Sequence, residues 1–455
     1  MLSELGALPL EGIRIIDLTT TMAGPLTTRV CAELGAEVIK IESLRRIDIM
    51  RCYCFPDNEP GDEWWNRGGY FHWLNWGKLS CTLNLDHRER VEIFKELIKT
   101  SDVLVENFSP RVKRNWGLDY SEIKKVNPKV IMVSLSGFGQ TGPHGEKKAY
   151  APTMEAASGF ASLTGGKDDP PVLSSAAVAD WAAGLFGVAA ILLSLHYRRQ
   201  TGHGVYIDLA GREALSCFMG DAILDYSVYH KLRDRFGNHH PNMVPHGVYA
   251  CRGENSWIAL AVRNDEEWQR FCRLAGDPRF AREEFSTLSG RLQNVEVIDR
   301  LVEEWSSNLD VSDAMSRLQA AGIPSGAVLT PKEMLLDPHF RQRGFFVKVE
   351  HPTVAGNHII NRSLPIEFDK NRFPSPAPIL GEHNEYVFGK LLMFPKEKLE
   401  ELEKEKVMGT VPLIRLRPQV YPLELMLRGG VCDIDAQYKE VLRIAAEKGE
   451  IFVDK

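Results

Sequence analysis

Short apolar runs alternate with longer segments of helical periodicity through the first third of the chain. Five of these runs have the length of buried strands: residues 13–18, 37–41, 82–85, 103–105 and 130–135. Gly24 and Pro25 are typical of a helix start, and Gly35 is typical of a helix end. Because strands that alternate with helices form parallel crossover units, we predict an α/β fold with a doubly wound parallel sheet.

The most apolar stretch of the chain covers residues 176–195 and is long enough to cross a membrane. It contains Asp180 and two glycines, and it is followed by His196-Tyr-Arg-Arg199. An ionisable residue is costly inside a bilayer, and small residues allow close packing in a protein core. We therefore predict a buried core helix and no membrane partner.

The pattern changes after about residue 221. A strand at 255–262 and helices at 266–275, 295–309 and 311–321 predict a smaller α+β domain. A proline-rich return follows, with helices predicted at 396–406 and 436–448. The predicted organisation has five parts: a large α/β domain at 1–205, a linker helix at 206–235, a small α+β domain at 236–330, a return linker with the C-terminal part of the large domain at 331–409, and a C-terminal extension at 410–455.

Composition narrows the function classes. A length of 455 residues favours two domains, and a formal net charge of −6 argues against a general nucleic-acid binder. The eight cysteines contain no pair with the two-residue gap of metal and redox sites. No basic segment followed by an apolar one opens the sequence. We therefore expect no signal peptide, no metal centre, and free thiols in the cytoplasm.

Segments that follow three predicted strands are rich in Gly, Pro, Asn and Ser: residues 19–25, 106–110 and 136–143. Ligands of doubly wound sheets bind beyond the carboxyl ends of the strands, where these segments are expected to lie. None has the spacing of a dinucleotide fingerprint or of a phosphate loop. The sequence predicts a ligand site at this edge that belongs to neither of those two classes.

Motifs in order along the chain carry a resemblance to a known family: Leu10-Glu-Gly-Ile-Arg-Ile-Ile-Asp-Leu18, Ala23-Gly-Pro25, Leu34-Gly-Ala-Glu-Val-Ile-Lys-Ile-Glu42, Asn75-Trp-Gly-Lys78, Glu106-Asn-Phe-Ser-Pro110, Ser136-Gly-Phe-Gly-Gln140, Val178-Ala-Asp-Trp-Ala-Ala-Gly184, Pro245-His-Gly-Val-Tyr249, Gly322-Ile-Pro324 and Ala377-Pro-Ile-Leu-Gly-Glu-His383. Through them the chain resembles the family III CoA-transferases, which include formyl-CoA transferase and carnitine CoA-transferase, from about residue 10 to 409. The resemblance implies an intertwined dimer whose large domain is built from both chain ends. It also implies that acyl-CoA and an organic acid are substrates, with no permanently bound cofactor.

Asp180 stands where the resemblance places the catalytic aspartate. Transfer of a thioester without hydrolysis needs a carboxylate that can form an anhydride and then hold CoA, and an ionised carboxylate needs no general base. From spacing alone, the alternative is an aspartate that caps its helix. The dipole of the predicted helix favours the charged form of Asp180.

The resemblance and the loop positions together indicate candidate CoA-binding residues: Met22, Ala23, Arg45, Lys78, Asn107, Phe108, Lys148 and Tyr150. Met22 replaces a glutamine that assists oxyanion binding in formyl-CoA transferase, so backbone N–H groups around Ala23 are expected to act instead. Ser43 replaces a common arginine, and Arg45 or Arg46 could reach a phosphate. The alternative for Lys148 is a solvated surface lysine.

The substrate alternatives rest on local departures from the family. His239-His240 interrupts the glycine-rich loop of the oxalate-using branch, and Ala151 replaces its glutamate, so oxalate is disfavoured. Aromatic residues between Trp64 and Trp76 could line a pocket for a bulky acid or pack as core. Succinyl-CoA is the candidate donor. An α-methylacyl-CoA racemase is disfavoured because the segment at 148–151 lacks the His-Asp pair of that enzyme. Intramolecular CoA transfer remains an alternative to transfer between two acids, and a CoA-binding partner subunit of a heteromer remains an alternative to the homodimer.

Overall fold

The computed structural model describes residues 8–86, 88–174, 176–361, 375–414, 416–430, 432 and 434–447. The chain forms two compact units. The first contains Met1–Phe160, Ser174–Asp221 and Pro338–Lys455 and thus takes in both ends of the chain; the second contains Ala161–Leu173 and Ala222–Asp337. The second unit begins earlier and ends later than the small domain predicted at 236–330.

The first unit is built on a six-stranded parallel sheet with the strand order β3-β2-β1-β4-β5-β6. The strands of the chain are β1 Arg14–Asp17, β2 Glu37–Glu42, β3 Leu79–Thr82, β4 Val103–Glu106, β5 Ile131–Ser136, β6 Tyr206–Ala210, β7 His246–Ala250, β8 Trp257–Ala261, β9 Ser325–Ala327, β10 Phe346–His351 and β11 Val354–Asn361. β10 and β11 form a separate antiparallel pair in the first unit. β1 lies at the centre of the large sheet, paired with β2 on one side and β4 on the other.

The helices occupy the segments between and after these strands. They are α1 Ala23–Glu33, α2 Gly69–Asn75, α3 Arg88–Lys99, α4 Pro110–Trp116, α5 Tyr120–Val126, α6 Ala151–Ser158, α7 Val178–Thr201, α8 Gly211–Ser216, α9 Gly220–Tyr229, α10 Asp265–Ala275, α11 Leu288–Gln293, α12 Val295–Ser306, α13 Val311–Ala320, α14 Pro331–Leu336, α15 Pro338–Gln342, α16 Lys396–Lys404, α17 Leu423–Arg428 and α18 Tyr438–Glu447. The predicted helices at 266–275, 295–309, 311–321, 396–406 and 436–448 are confirmed as α10, α12, α13, α16 and α18.

Helices cover both faces of the parallel sheet. Successive side chains of β1 point to opposite faces, because side chains alternate along a strand. Ile15 packs with Leu26 of α1 and Ile191 of α7, whereas Ile16 packs in a second core with Phe94 of α3. The α/β prediction with a parallel sheet is confirmed.

Two sequence-based boundaries differ from the structure. Residues 206–210, predicted as the start of a linker helix, form β6, which pairs with β5 along its whole length. The predicted linker therefore contains the last strand of the sheet, followed by α8 and α9. The strand predicted at 82–85 lies instead at Leu79–Thr82. Its buried residues Ser80 and Thr82 are polar and hydrogen-bond to Asn384 and its neighbours, so the strand lacks a continuous hydrophobic pattern in the sequence.

The second unit is a three-stranded antiparallel sheet with helices around it. Its strand order is β7-β8-β9. Trp268, Phe271 and Phe280 form an aromatic core with ring-centroid distances of 5.1 to 5.9 Å. This confirms an α+β composition for the predicted smaller domain.

Helix α7 corresponds to the long apolar run. It is long and apolar enough to cross a membrane, but buried core helices can have the same length and composition. One face, rich in Ala and Gly, is buried in the first unit, as expected of a core helix. The other face leaves Leu185, Leu192 and Leu193 exposed.

Candidate active site

The candidate site lies at the carboxyl ends of the parallel strands. The chain leaves β1 through residues 19–22 and enters α1 at Ala23. Met22 stands at the N-cap of α1, and its side chain makes no capping hydrogen bond. The first N–H groups of a helix have no acceptor within the helix itself, and they carry partial positive charge. The start of α1 is therefore suited to bind an anionic group.

Helix α7 crosses α1 at close range because two of its glycines face α1. A Cβ on Gly184 would lie 2.7 Å from Cδ2 of Leu26, and a Cβ on Gly187 would lie 2.8 Å from Oγ1 of Thr27. The Thr27 hydroxyl donates to the Gly184 carbonyl oxygen over 3.0 Å. Since Gly184 lies one turn after Asp180, this crossing brings the start of α7 to the start of α1.

Asp180 occupies the first turn of α7 and is half-buried. The backbone N–H of Ala23, at the start of α1, is near enough to lower the pKa of its carboxyl group. The N-cap of α7 is Ala177, and no side chain caps this helix. Asp180 is therefore not the cap of its own helix, which was the alternative; its carboxyl group is influenced instead by the start of α1.

Burial raises the pKa of Asp180 from 3.8 to about 6. The Ala23 N–H lowers this pKa, and the negative charge of Glu155 raises it further. The loss of hydration is the largest of these effects, so the pKa is raised even at the start of a helix. A group with a pKa near 6 is still mostly ionised at neutral pH, so Asp180 can act as a nucleophile.

Glu155 on α6 is a site residue that the sequence analysis missed. Its side chain is buried, and its two oxygens accept from the N–H and the hydroxyl of Ser174 at 2.9 and 2.8 Å. These bonds tie α6 to the segment that leads into α7. A signal was present, because Glu155 is the one charged residue in the sequence between Ala149 and Gly166.

A buried ionic network lies beneath the loop between β1 and α1. Its ion pairs are Asp17–Lys78, Lys40–Asp48 and Glu42–Arg51, with N···O distances of 2.9, 3.0 and 2.7 Å. Three carboxylates and three cations balance in charge, which offsets the large cost of removing them from water. Burial alone would raise the pKa of Asp17, but the ammonium groups of Lys78 and Lys40 outweigh it and bring the value to about 2.

Lys78, a predicted CoA contact, belongs to this network and is fully buried. Its Nζ lies within 2.7–2.9 Å of Asp17 Oδ2, Thr28 Oγ1, Asn75 Oδ1 and the Pro25 carbonyl oxygen. Burial lowers the pKa of Lys78 to about 8. In this structure the ammonium group supports the first turns of α1, and its direct contact with CoA stays a prediction.

Phe108 and Arg45 line a cleft of about 230 Å³ at the carboxyl edge of the sheet. Phe108 packs edge to face against Trp116, with 5.1 Å between ring centroids. Arg45 is exposed and lies 3.2 Å from a carboxylate oxygen of Asp86. Arg46 also lines the cleft and has no ion-pair partner among the residues that the structure describes. Aromatic faces beside guanidinium groups suit a ligand with a base and phosphates.

The remaining predicted CoA residues occupy different surroundings. Lys148 and Tyr150 are exposed, and Tyr150 stands at the N-cap of α6, the helix that carries Glu155. Asn107 does not line the cleft; both atoms of its side-chain amide bond the backbone of Thr20. The CoA-contact assignments of these residues stay predictions.

The aromatic segment divides into core and site-adjacent residues. Phe71 and Trp76 are buried, and the Arg51 guanidinium lies 3.5 Å from the Phe71 ring centroid. Trp73 packs against Trp181, the residue that follows Asp180, with 5.2 Å between ring centroids. Packing thus accounts for Phe71 and Trp76, while Trp73 is the residue that connects this segment to the site.

All eight cysteines carry free thiols. Across the described ranges, no group of three or more His, Cys, Asp and Glu side chains could hold a metal ion.

Known proteins resemble this chain over most of its length. The sequence model of a family described as CoA-transferase family III matches residues 10–384. The beta subunit of succinyl-CoA–L-malate CoA-transferase from Chloroflexus aurantiacus is 32% identical over 406 residues, which cover 88% of this chain and 98% of that protein. Formyl-CoA:oxalate CoA-transferase from Streptomyces coelicolor is 33% identical over 430 residues, covering 88% and 98%. The crystal structure of a CaiB/BaiF family protein from Brucella suis has a TM-score of 0.75 at 30% identity, covering 85% of this chain and 100% of the other.

Proposed function

Because the chain belongs to family III of the CoA-transferases, we propose that it moves CoA from an acyl-CoA donor to a carboxylic acid through covalent intermediates on Asp180. The observation that carries the proposal is the half-buried Asp180 carboxyl group at the start of α7, close enough to the start of α1 for the Ala23 N–H to lower its pKa. A carboxylate supplies the nucleophile that the transfer needs, and a fixed N–H donor at the same oxygen atoms supplies oxyanion stabilisation.

The first half of the proposed cycle loads the enzyme with CoA. A carboxylate oxygen of Asp180 attacks the carbonyl carbon of the donor thioester, the C–S bond breaks, and a mixed anhydride and CoA thiolate result. The thiolate then attacks the Asp180 carbonyl carbon of the anhydride. The donor acid leaves as a carboxylate, and an aspartyl-CoA thioester remains.

The second half reverses these steps with the acceptor. The acceptor carboxylate attacks the aspartyl thioester and releases thiolate, which gives a new mixed anhydride. The thiolate attacks the acceptor carbonyl carbon, and the Asp180 carboxylate is regenerated. Each step exchanges one acyl bond for another, so the cycle needs neither an oxidant nor a proton donor.

The start of α1 provides the donor that Met22 cannot provide. Negative charge develops on the Asp180 carbonyl oxygen whenever thiolate or acceptor attacks it. The Ala23 N–H already lowers the pKa of this carboxyl group, and the helix dipole of α1 adds to the same effect. A backbone donor therefore takes over the role of the family glutamine.

The cleft lined by Phe108, Arg45 and Arg46 is the proposed place of the CoA nucleotide. Its aromatic face suits the adenine ring, and the two guanidinium groups suit the phosphates. Succinyl-CoA is the proposed donor, because the Chloroflexus relative is named for it and the loop residues His239 and His240 disfavour the oxalate branch.

A covalent trap tests the proposal directly. The protein is incubated with succinyl-CoA and hydroxylamine, and its peptides are examined by mass spectrometry. A hydroxamate at Asp180, absent from the Asp180→Asn variant, is the expected result. Exchange of the donor's α-proton with D₂O in the absence of any label would instead indicate racemase chemistry and would overturn the proposal.

We also propose that two copies of the chain associate. Helix α9 has no buried residue, and it exposes Ile223, Leu224, Tyr226 and Tyr229. Such a patch is unusual on a monomer and favours a partner surface. Light scattering of the purified chain is expected to give the mass of a homodimer; activity that appears only with a second polypeptide would indicate a heteromer, as the subunit name of the Chloroflexus relative suggests.

The cytoplasm is the proposed location. Eight free thiols are compatible with a reducing compartment. Thiol titration of the denatured protein from freshly lysed cells is expected to find all of them reduced.

A further inference from the structure

The loop between β1 and α1 is held by side chains from other elements. Thr20 donates its N–H to Asn107 Oδ1 over 2.9 Å, and its carbonyl oxygen accepts from Asn107 Nδ2 over 2.7 Å. One amide side chain thus bonds both polar groups of one backbone residue, as a neighbouring strand would. Asn107 follows directly after β4, so this bond pair fixes the loop to the centre of the sheet.

The next residue of the loop has an unusual backbone. Thr21 has a φ of +72°, a conformation that costs a β-branched residue free energy. Its N–H donates to Asp48 Oδ1 over 3.1 Å, and the Thr20 hydroxyl donates to the same oxygen over 3.1 Å. Asp48 is itself buried and lies 3.0 Å from the Lys40 ammonium group. Such a conformation persists when surrounding contacts hold the backbone in place, and it is common next to functional sites.

These contacts have a direct consequence for the site. Thr21 is followed by Met22, the N-cap of α1, and then by Ala23, which lies where α7 crosses α1 and whose N–H lowers the pKa of Asp180. The direction of that N–H depends on the path of the two preceding residues. Gly24 adds a further constraint, because a Cβ there would lie 2.4 Å from Cβ of Thr19.

We propose that Asn107, assisted by Asp48, is a positioning residue that holds Thr20 and Thr21 so that the Ala23 N–H points at the Asp180 carboxylate. This inference rests on the proposed function of Asp180. It assigns Asn107 a role different from the CoA contact that family resemblance implies. Thr20 uses Oδ1 of the amide and one of the two Nδ2 hydrogens. Only the second Nδ2 hydrogen is left to donate to a phosphate.

The two roles predict different kinetics for Asn107→Ala. If Asn107 positions the loop, kcat should fall roughly tenfold to a hundredfold, the effect of a misplaced group, while KM for acyl-CoA changes by less than about threefold. The acidic limb of the pH–rate profile should also move to higher pH, because a displaced Ala23 N–H no longer lowers the pKa of Asp180. The charged group that acts on Asp180 from α6 is Glu155, and the first turn of α1 carries no acidic side chain.

Asn127→Ala is the matched control. Asn127 donates through Nδ2 to the carbonyl oxygens of Ile98 and Ser101 at 3.0 and 2.9 Å, and it accepts from the Lys129 N–H. It is thus another asparagine that ties backbone segments together, but at the amino ends of the strands. We expect a similar loss of stability, with kcat and the pH limb unchanged.

Thr20→Val provides a second, milder variant in case Asn107→Ala does not fold. It keeps the shape of the side chain and removes only the hydroxyl bond to Asp48. A several-fold fall in kcat with the same direction of pH shift is expected.

Hydroxylamine trapping of the wild-type enzyme distinguishes a failure of the proposed function from a failure of the positioning role. No label on the wild type overturns the proposed function and this inference together; a labelled wild type, with variants that raise KM but leave kcat and the pH limb unchanged, overturns the positioning role alone.

Discussion

The two edges of the parallel sheet carry two clefts that differ in size and in chemistry. The cleft at the amino edge is the larger, about 890 Å³, and is lined by Lys99, Lys129, His196, Arg198 and Arg199 among others. The cleft at the carboxyl edge is about 230 Å³. Size and positive charge would favour the amino edge as an anion site, yet Asp180 and the start of α1 lie at the carboxyl edge.

The direction of the helices explains the difference. A helix that follows a parallel strand begins at the carboxyl edge, so the positive ends of the helix dipoles collect there. Helices end at the amino edge, where their unpaired carbonyl groups attract cations. Lys99 lies in the last turn of α3, and Arg198 and Arg199 lie in the last turn of α7. Arg198 is also paired with Asp102 over 2.8 Å. Lys99, Arg198 and Arg199 of the larger cleft therefore complement helix ends, a role that needs no ligand.

The largest expected effect is the fall in kcat when the proposed nucleophile at the carboxyl edge is replaced. Asp180→Asn should reduce kcat by at least about 10³-fold, because the amide side chain of asparagine cannot form the anhydride. Its urea midpoint should stay the same or rise, since the variant removes a carboxylate whose charged form is disfavoured by burial. Residual turnover within tenfold of the wild type would contradict the assignment.

The next largest effect is expected from Gly184→Ala, which should disturb the close packing of α7 against α1. The new Cβ would lie 2.7 Å from Leu26 Cδ2 and 3.2 Å from the Ala23 carbonyl oxygen. We expect a loss of about 1–3 kcal/mol in the free energy of unfolding and a fall in kcat of roughly tenfold or more. The control is Gly389→Ala, whose Cβ would meet Leu399 Cδ1 at an ordinary 3.5 Å. Equal behaviour of the two variants in urea unfolding and steady-state kinetics would argue against the close crossing.

The pH dependence of the donor half-reaction follows from the pKa of Asp180. Its ionised form is the nucleophile, so kcat/KM for acyl-CoA should be constant above the pKa of about 6 and fall as pH drops through it. Each unit below that value should reduce the rate about tenfold. Glu155→Gln should move the midpoint to lower pH, because it removes a negative charge that opposes ionisation. An unchanged midpoint would show that Glu155 does not act on Asp180.

The smallest expected effect is a change in KM for acyl-CoA when basic residues are removed from one cleft or the other. Removing Arg45 and Arg46 together should raise KM for acyl-CoA about five- to tenfold, the worth of roughly one charge-assisted hydrogen bond, with little change in kcat. Removing Lys129 and Arg199 at the amino edge, the same change in charge, should leave KM unchanged. If the amino-edge variant has the larger KM, the nucleotide binds at the other edge.

Much of the site was visible in the linear sequence because its signals are local. The polar loops after β1, β4 and β5 were predicted from residue types and spacing, whereas Asp180 and Ala23 were predicted through the family motifs that contain them. Glu155 and Asp48 were not. Each becomes part of the site only through contacts with residues distant in the chain, and a single charged residue in a loop or short helix has no distinctive pattern.

The sequence by itself determined the α/β class and most of the helices and strands, and it predicted Asp180 as the nucleophile, because periodicity, helix-end residues and family motifs are properties of neighbouring residues. Tertiary structure alone decided which charges neutralise one another beneath the β1–α1 loop, that burial raises the pKa of Asp180 against the helix dipole, and that Lys78 and Asn107 contact the backbone near α1. These properties depend on solvent exclusion and on distances between residues far apart in the chain. Neither quantity exists until the sheet and its helices have packed.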